Sequence, residues 1–185
     1  MISTVPYGID ANGWLHVSSP DARVIELGGG ACPRFRPNVD VRYCTDAEGR
    51  PVVDFTADFG APLPIQSCEW DFVFSRYAFE HVSWRKIGIF VAELYRILKP
   101  GGSAIIVTAN AEAQMRWALA RDWDERISQC LGGDQDYGEN SHQVFLNPTW
   151  AARLFRRHGF ARVLLTPHGE LGTDLVIEAQ KPLQA

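Results

Sequence analysis

The sequence lacks any run of about 20 apolar residues, which a membrane span requires, and its start, MISTVPYGIDANGW, lacks the cationic-then-apolar pattern of a secretory leader. It has no excess of basic charge. The 18 Lys and Arg stand against 22 Asp and Glu, a formal charge of −4, which argues against a nucleic-acid binder that reads only phosphate charge. Nor does it have a CxxC pair. Cys32, Cys44, Cys68 and Cys130 stand apart with no histidine at metal-ligand spacing, so no metal site is expected, and four reduced thiols fit a cytoplasmic protein. Repeats and low-complexity tracts are missing too. What is present is ordinary for a soluble globular chain: 185 residues, 46% hydrophobic and 22% charged. That length buries roughly 70% of the unfolded surface with no disulfide or metal.

Residues 1–22 are polar and turn-rich, yet carry Tyr7, Ile9, Trp14 and Leu15. They read as an arm or short hairpin packed on a single domain spanning residues 23–185. Short apolar, β-branched runs follow at 23–27, 38–43, 51–58, 70–75 and 103–109, the character of strands buried on both faces of a parallel sheet. Residues 83–98 place Ile87, Phe90, Val91, Leu94, Ile97 and Leu98 on one helical stripe. Ser83 is the expected N-cap, and Lys99-Pro100-Gly101-Gly102 the stop. A second helix is expected over 111–131 through Met115, Leu119, Trp123, Ile127 and Leu131, followed by a polar loop over 132–147. Asn147-Pro148 opens a third helix ending at Gly159, and two last strands, 161–166 and 173–179, are close enough to pair antiparallel. Strands alternating with helices and closed by a hairpin predict an α/β three-layer sheet.

Gly28-Gly29-Gly30 directly follows the first buried strand, where glycine lets backbone amides approach a ligand; a tight structural turn explains it equally. The dinucleotide pattern G-x-G-x-x-G fails, because position 33 is Pro. Asp40 falls at the end of the second strand, where ligands sit in open α/β sheets and a carboxylate can accept from both hydroxyls of a ribose; its bland role is a turn or cap.

One stretch narrows these alternatives. Asp58-Phe-Gly-Ala-Pro-Leu-Pro-Ile65 leads into Trp70-Asp-Phe-Val-Phe-Ser-Arg-Tyr-Ala-Phe-Glu80-His81-Val82, and then Glu93-Leu-Tyr-Arg-Ile-Leu-Lys-Pro-Gly-Gly102. Over residues 23–181 the chain resembles the class I S-adenosylmethionine-dependent methyltransferases, particularly a small bacterial group. The later Gly-Gly-Asp-Gln-Asp-Tyr137…Asn140-x-His142 loop resembles that narrower group. The resemblance implies a Rossmann-like three-layer sandwich with a mostly parallel seven-stranded sheet, S-adenosylmethionine as cofactor and S-adenosylhomocysteine as product. It places Glu26 at the methionine ammonium, Gly28, Gly29 and Gly30 under the methionine and ribose, and Asp40 with Val41 at the ribose hydroxyls. Asp58 and Phe59 match the pair beside adenine, and Ser75, Arg76 and Tyr77 the strand end along the methionine.

Two departures from the family pattern stand out. The third glycine of the turn is Cys32, and the link from Gly30 to Val39 holds Pro33 and Pro37. That link and residues 44–50 are too short or too proline-rich for crossover helices. The sheet then lacks helices on one side near the cofactor, with the arm, or a second subunit in a homodimer, as its cover. Arg34 and Arg36 are either solvated or paired with the methionine carboxylate. Methyl transfer needs mainly orientation and a dry pocket, with a general base where the acceptor is a hydroxyl or protonated amine. His81, at the helix start, and His142, on the long loop, are the candidate bases. His168 is expected away from the chemistry. Tyr137, Asn140 and His142 are the candidate acceptor contacts, and the acceptor is expected to be a small polar metabolite or saccharide, with no nucleic acid and no membrane as partner. A nicotinamide-dependent oxidoreductase and a non-catalytic subunit supporting a partner are the alternatives.

Overall fold

In the computed structural model, which describes residues 6–183, the chain runs β1 (Tyr7–Ile9), β2 (Leu15–Val17), β3 (Val24–Leu27), β4 (Asn38–Asp40), β5 (Phe55–Thr56), β6 (Trp70–Arg76), α1 (Ile87–Ile97), β7 (Leu98–Ala109), α2 (Ala111–Leu119), α3 (Glu125–Gly132), α4 (Pro148–Arg157), β8 (Arg162–His168) and β9 (Asp174–Gln180). A single tight helical turn, Phe79–His81, follows β6. Seven strands form one sheet in the order β5-β4-β3-β6-β7-β9-β8. The first five lie parallel, and β9 runs antiparallel to both β7 and β8. This is the expected Rossmann-like sheet with its closing antiparallel hairpin. Residues 1–5 of the expected arm lie outside the described residues.

Strand alternation divides the core in two. Ile25, Leu27, Val39, Val73, Ile106 and Ile177 point to the face covered by α1 and α4. Val24, Phe72, Phe74, Ile105, Val107 and Val176 point to the other face. Among the described residues no helix covers that second face near β3 and β4, because the links at 28–37 and 41–54 contain none. The β1–β2 hairpin covers it instead. Leu15 is fully buried there, Trp14 packs on Phe74, and Phe35 from the proline-rich link meets Phe74 edge-on at 5.8 Å. The Tyr7 hydroxyl donates to Glu178 at 2.6 Å, tying the hairpin to β9. The arm thus supplies cover on this face.

Several boundaries differ from the sequence expectation. The second strand stops at Asp40, whose carboxylate accepts from the Arg42 amide and turns the chain. The third keeps only Phe55–Thr56 of 51–58. Pro51 has no amide to give a ladder, and the Asp54 carboxylate, rather than a strand carbonyl, receives the Asn38 amide. Helix α1 buries its whole predicted stripe but starts at Ile87, not after Ser83. The Ser83 carbonyl accepts from Lys86 and Ile87 in a preceding turn. The helix ends at Ile97, and β7 begins at Leu98, ahead of Pro100, which forces Lys99 into an extended conformation. The single helix expected over 111–131 is two. Asp124 accepts from the Ile127 amide and caps α3 anew. That break resets the helical phase, so Met115, Leu119 and Trp123 are exposed while Ile127 is buried. Asn147 caps α4 as expected, accepting from Trp150.

Candidate active site

The carboxyl ends of β3, β4 and β6 open into a cavity of about 760 Å³, within the range of small-molecule sites. Its first wall is the glycine turn. Gly28 has φ +82°, and a Cβ there would stand 2.2 Å from the Ala78 Cβ, so only glycine fits between β3 and the segment after β6. The Gly30 amide donates to Asp40 Oδ2 at 2.9 Å, and the Arg42 amide donates to Oδ1 at 3.2 Å. A carboxylate has about four acceptor positions, so two remain for a ligand. Asp58, farther along the wall, accepts from Lys86 Nζ at 2.9 Å and the Gly60 amide at 2.7 Å. Those bonds, the lysine's first, hold its carboxyl below the usual range. Phe59 lines the same wall and stacks on Phe90 at 4.9 Å.

The opposite wall comes from Tyr77 to Lys86 and from the long polar loop, through Tyr137, Glu139, Asn140 and Gln143. The Arg42 guanidinium lies 4.1 Å over the Tyr137 ring, bridging the end of β4 to that loop. The Glu80 carbonyl accepts from the amides of Gln143 and Val144, clipping the loop to the turn after β6. Tyr77 holds φ +52°, uncommon for a residue with a Cβ, and donates its hydroxyl to Asp174 at 2.7 Å.

The two candidate bases meet. His81 and His142 rings lie edge to face, 5.1 Å apart. His81 Nδ1 is 3.2 Å from the Ser141 carbonyl, and His142 Nδ1 is 3.2 Å from the Leu131 carbonyl. A carbonyl only accepts, so each Nδ1 carries the proton and each Nε2 the lone pair. Burial lowers both pKa values; the neighbouring His81 lowers that of His142 further. Beside them Glu80 is buried and accepts from the Thr108 hydroxyl at 2.9 Å, and burial pushes its pKa up to about 7. One donor atom from each of Glu80, His81 and His142 lies within 4.8 Å of the other two. The sequence hid this group, since its members are distant along the chain and no cysteine is involved. Glu80 was its one overlooked member, although the Phe-Glu-His segment contains it.

The sequence-predicted residues thus separate. Gly28, Gly30, Asp40, Val41, Asp58, Phe59, Tyr77, His81, Tyr137 and Asn140 line the cavity, whereas Glu26, Gly29, Ser75, Arg76 and His142 do not. Glu26 is buried and accepts from the amides of Arg34 and Phe35 at 2.6 and 2.7 Å, fastening the helix-free link. Burial raises its pKa to about 7, against the lowering effect of those two amides. Arg76 lies over Trp14 and donates to the Asn12 carbonyl, so it anchors the hairpin. Arg36 pairs with Asp54. Ser75 Oγ is buried without a partner among the described residues. His168 faces Asp174, which in turn pairs in register with Ala109 through β9. It therefore lies level with the carboxyl ends of the parallel strands, not away from them.

Residues 38–106 match the methyltransferase-domain family. The fold is shared with S-adenosylmethionine-dependent methyltransferases of known structure. Among solved structures, the chain is similar to an S-adenosylmethionine-dependent methyltransferase of Thermotoga maritima (TM-score 0.61, 18% identity, covering 89% of this chain and 84% of that one). One from Methanosarcina mazei gives TM-score 0.60 and 16% identity, covering 90% of this chain and 95% of that one. The phosphoethanolamine N-methyltransferase 2 of Haemonchus contortus, solved with S-adenosylmethionine, gives TM-score 0.59 and 13% identity, covering 87% of this chain and 49% of that one. No curated protein sequence matches. The methyltransferase cofactor is S-adenosylmethionine, and the residues present fit it: a glycine cradle that a Cβ would fill, and a buried carboxylate with acceptor positions to spare. No helix among the described residues is long and apolar enough to cross a membrane.

Proposed function

We propose that this methyltransferase methylates an oxygen or nitrogen of a small polar acceptor, a metabolite or saccharide, in a cytoplasmic setting to which its free cysteines are suited. The observation that carries the reading is the two-sided cavity: glycines and carboxylates on one wall, tyrosines, amides and a histidine on the other. When bound, the cofactor supplies a methyl group already activated on a sulfonium. The chain's own residues then do the rest. Asp40 receives the ribose hydroxyls, and Gly28 and Gly30 allow close backbone approach. Asp58, held by Lys86, stands at the base, with Phe59 beneath it. Tyr77 and His81 face the acceptor together with Tyr137 and Asn140, across the cavity from the glycine turn. The Nε2 lone pair of His81, with His142 behind it, handles the acceptor's proton. The loop is held beside the cavity by its clip to Glu80 and by the Arg42 bridge.

A panel of sugars, amino compounds and hydroxylated metabolites, scored by S-adenosylhomocysteine release, tests this. Turnover with a small polar member, lost in Tyr137→Ala with cofactor affinity unchanged, is the expected result. Turnover only on nucleic acid or on protein overturns the acceptor assignment.

A further inference from the structure

Glu80, His81 and His142 do more than the methyl-transfer reading requires. Two imidazoles and one carboxylate converge from two separate segments, with one donor atom of each within 4.8 Å of the others. Each imidazole has its Nδ1 proton spent on a main-chain carbonyl, which leaves its Nε2 unprotonated and free to ligate. Metal-ligating histidines are oriented in this way, by a second bond from the ring nitrogen that does not ligate. The carboxylate is likewise held from behind, by the Thr108 hydroxyl. The main chain fixes the relative placement of the two segments, because the Glu80 carbonyl takes both the Gln143 and Val144 amides. The negative charge of Asp134 acts on both histidines.

From this arrangement we infer that Glu80, His81 and His142 form a binding site for one zinc-class divalent ion. Two histidines and a glutamate are the ligand set of open zinc sites, with a fourth position left for water or substrate. Tetrahedral bonds of about 2.1 Å set ligand atoms about 3.4 Å apart, so the group closes on an ion by side-chain adjustment of about an ångström. His81 lines the cavity, so an ion held by it would lie beside that space. The metal's role, unlike the site itself, rests on the acceptor assignment above. With the ion held, the His81 lone pair is a ligand and no longer a base: an acceptor hydroxyl on the fourth position is polarised by the ion, and its proton passes to water in place of the imidazole route of the metal-free protein.

Metal uptake by the full chain, read without cofactor or acceptor, is the test. The apo-protein is titrated with Co²⁺ by visible absorption, then with Zn²⁺ in competition with a chromophoric chelator. The expected result is one ion per chain, a tetrahedral Co²⁺ spectrum with no thiolate charge-transfer band, and displacement by Zn²⁺. His142→Ala and His81→Ala weaken uptake about 100-fold or more, since the loss of an outer-shell partner alone costs 10–100-fold. His16→Ala, at an exposed histidine, leaves it unchanged. The loop variant His142→Ala covers the case in which Glu80→Gln fails to fold. Absence of uptake, a thiolate band, or equal uptake by the histidine variants overturns the site. Separate S-adenosylmethionine calorimetry shows whether the methyltransferase reading stands by itself.

Discussion

Gly28 and Gly30 stand two residues apart in one turn, yet they tolerate a side chain very differently. Both have positive φ, so alanine at either costs about 1–2 kcal/mol in backbone strain. At Gly28 the new Cβ also meets Ala78 at 2.2 Å, whereas at Gly30 nothing lies within 4 Å. Gly28→Ala is therefore expected to lose more stability in urea unfolding than Gly30→Ala, and to lose cofactor affinity with it; equal losses would place the close approach elsewhere. Glu26 makes a pH-dependent prediction. Its folded pKa, about 7, lies above its ordinary value of 4.5. The folded state thus binds the extra proton between those values, and this residue's contribution falls as pH rises through that window. The stability of Glu26→Gln relative to wild type should climb from about pH 4.5 to about 7, by at most about 1.4 kcal/mol per pH unit, and level off above. A flat difference would mean that Glu26 is not desolvated. Beside the ammonium contact expected of it, Glu26 fastens the 31–37 link through the Arg34 and Phe35 amides, and that part was not legible in the sequence. Which amides a buried carboxylate receives depends on the path of the 31–37 link, and two prolines in that link leave no periodic pattern to read.

At the scale of elements, α1 was legible because a single apolar stripe runs unbroken through it and all of it is buried. The α2–α3 pair was not, because a four-residue gap before Asp124 rephases the helix while the apolar spacing continues across it. The hairpin sits between these cases. Its apolar residues announce that it packs, and the missing crossover helices announce where. Leu15 tests that placement. It is fully buried among Val24, Phe74 and Val107, so Leu15→Ala should cost about 2–5 kcal/mol, as for other buried leucines. A loss below about 0.5 kcal/mol in denaturant unfolding would make β1–β2 a loosely attached arm.

For the molecule as a whole, sheet order brings Gly28, Asp40, Tyr77 and His81 to one edge, and the long loop closes that edge with Tyr137 and Asn140. Motif order foreshadowed this convergence, because parallel strands deliver their carboxyl ends to one side. What motif order did not foreshadow was depth. His142 lies behind His81 rather than in the wall, and Glu80 completes a three-member group that no local spacing reveals. The most direct test of the account is calorimetric titration of the purified chain, without added metal, with S-adenosylmethionine, S-adenosylhomocysteine and NAD, repeated on Asp40→Ala. The account predicts one site for each adenosyl ligand, no heat with NAD, and a loss of about 1–3 kcal/mol in Asp40→Ala, the cost of leaving buried hydrogen-bonding partners unmatched. Binding of NAD with neither adenosyl compound bound, or an Asp40→Ala variant that is folded and binds with unchanged affinity, would contradict it.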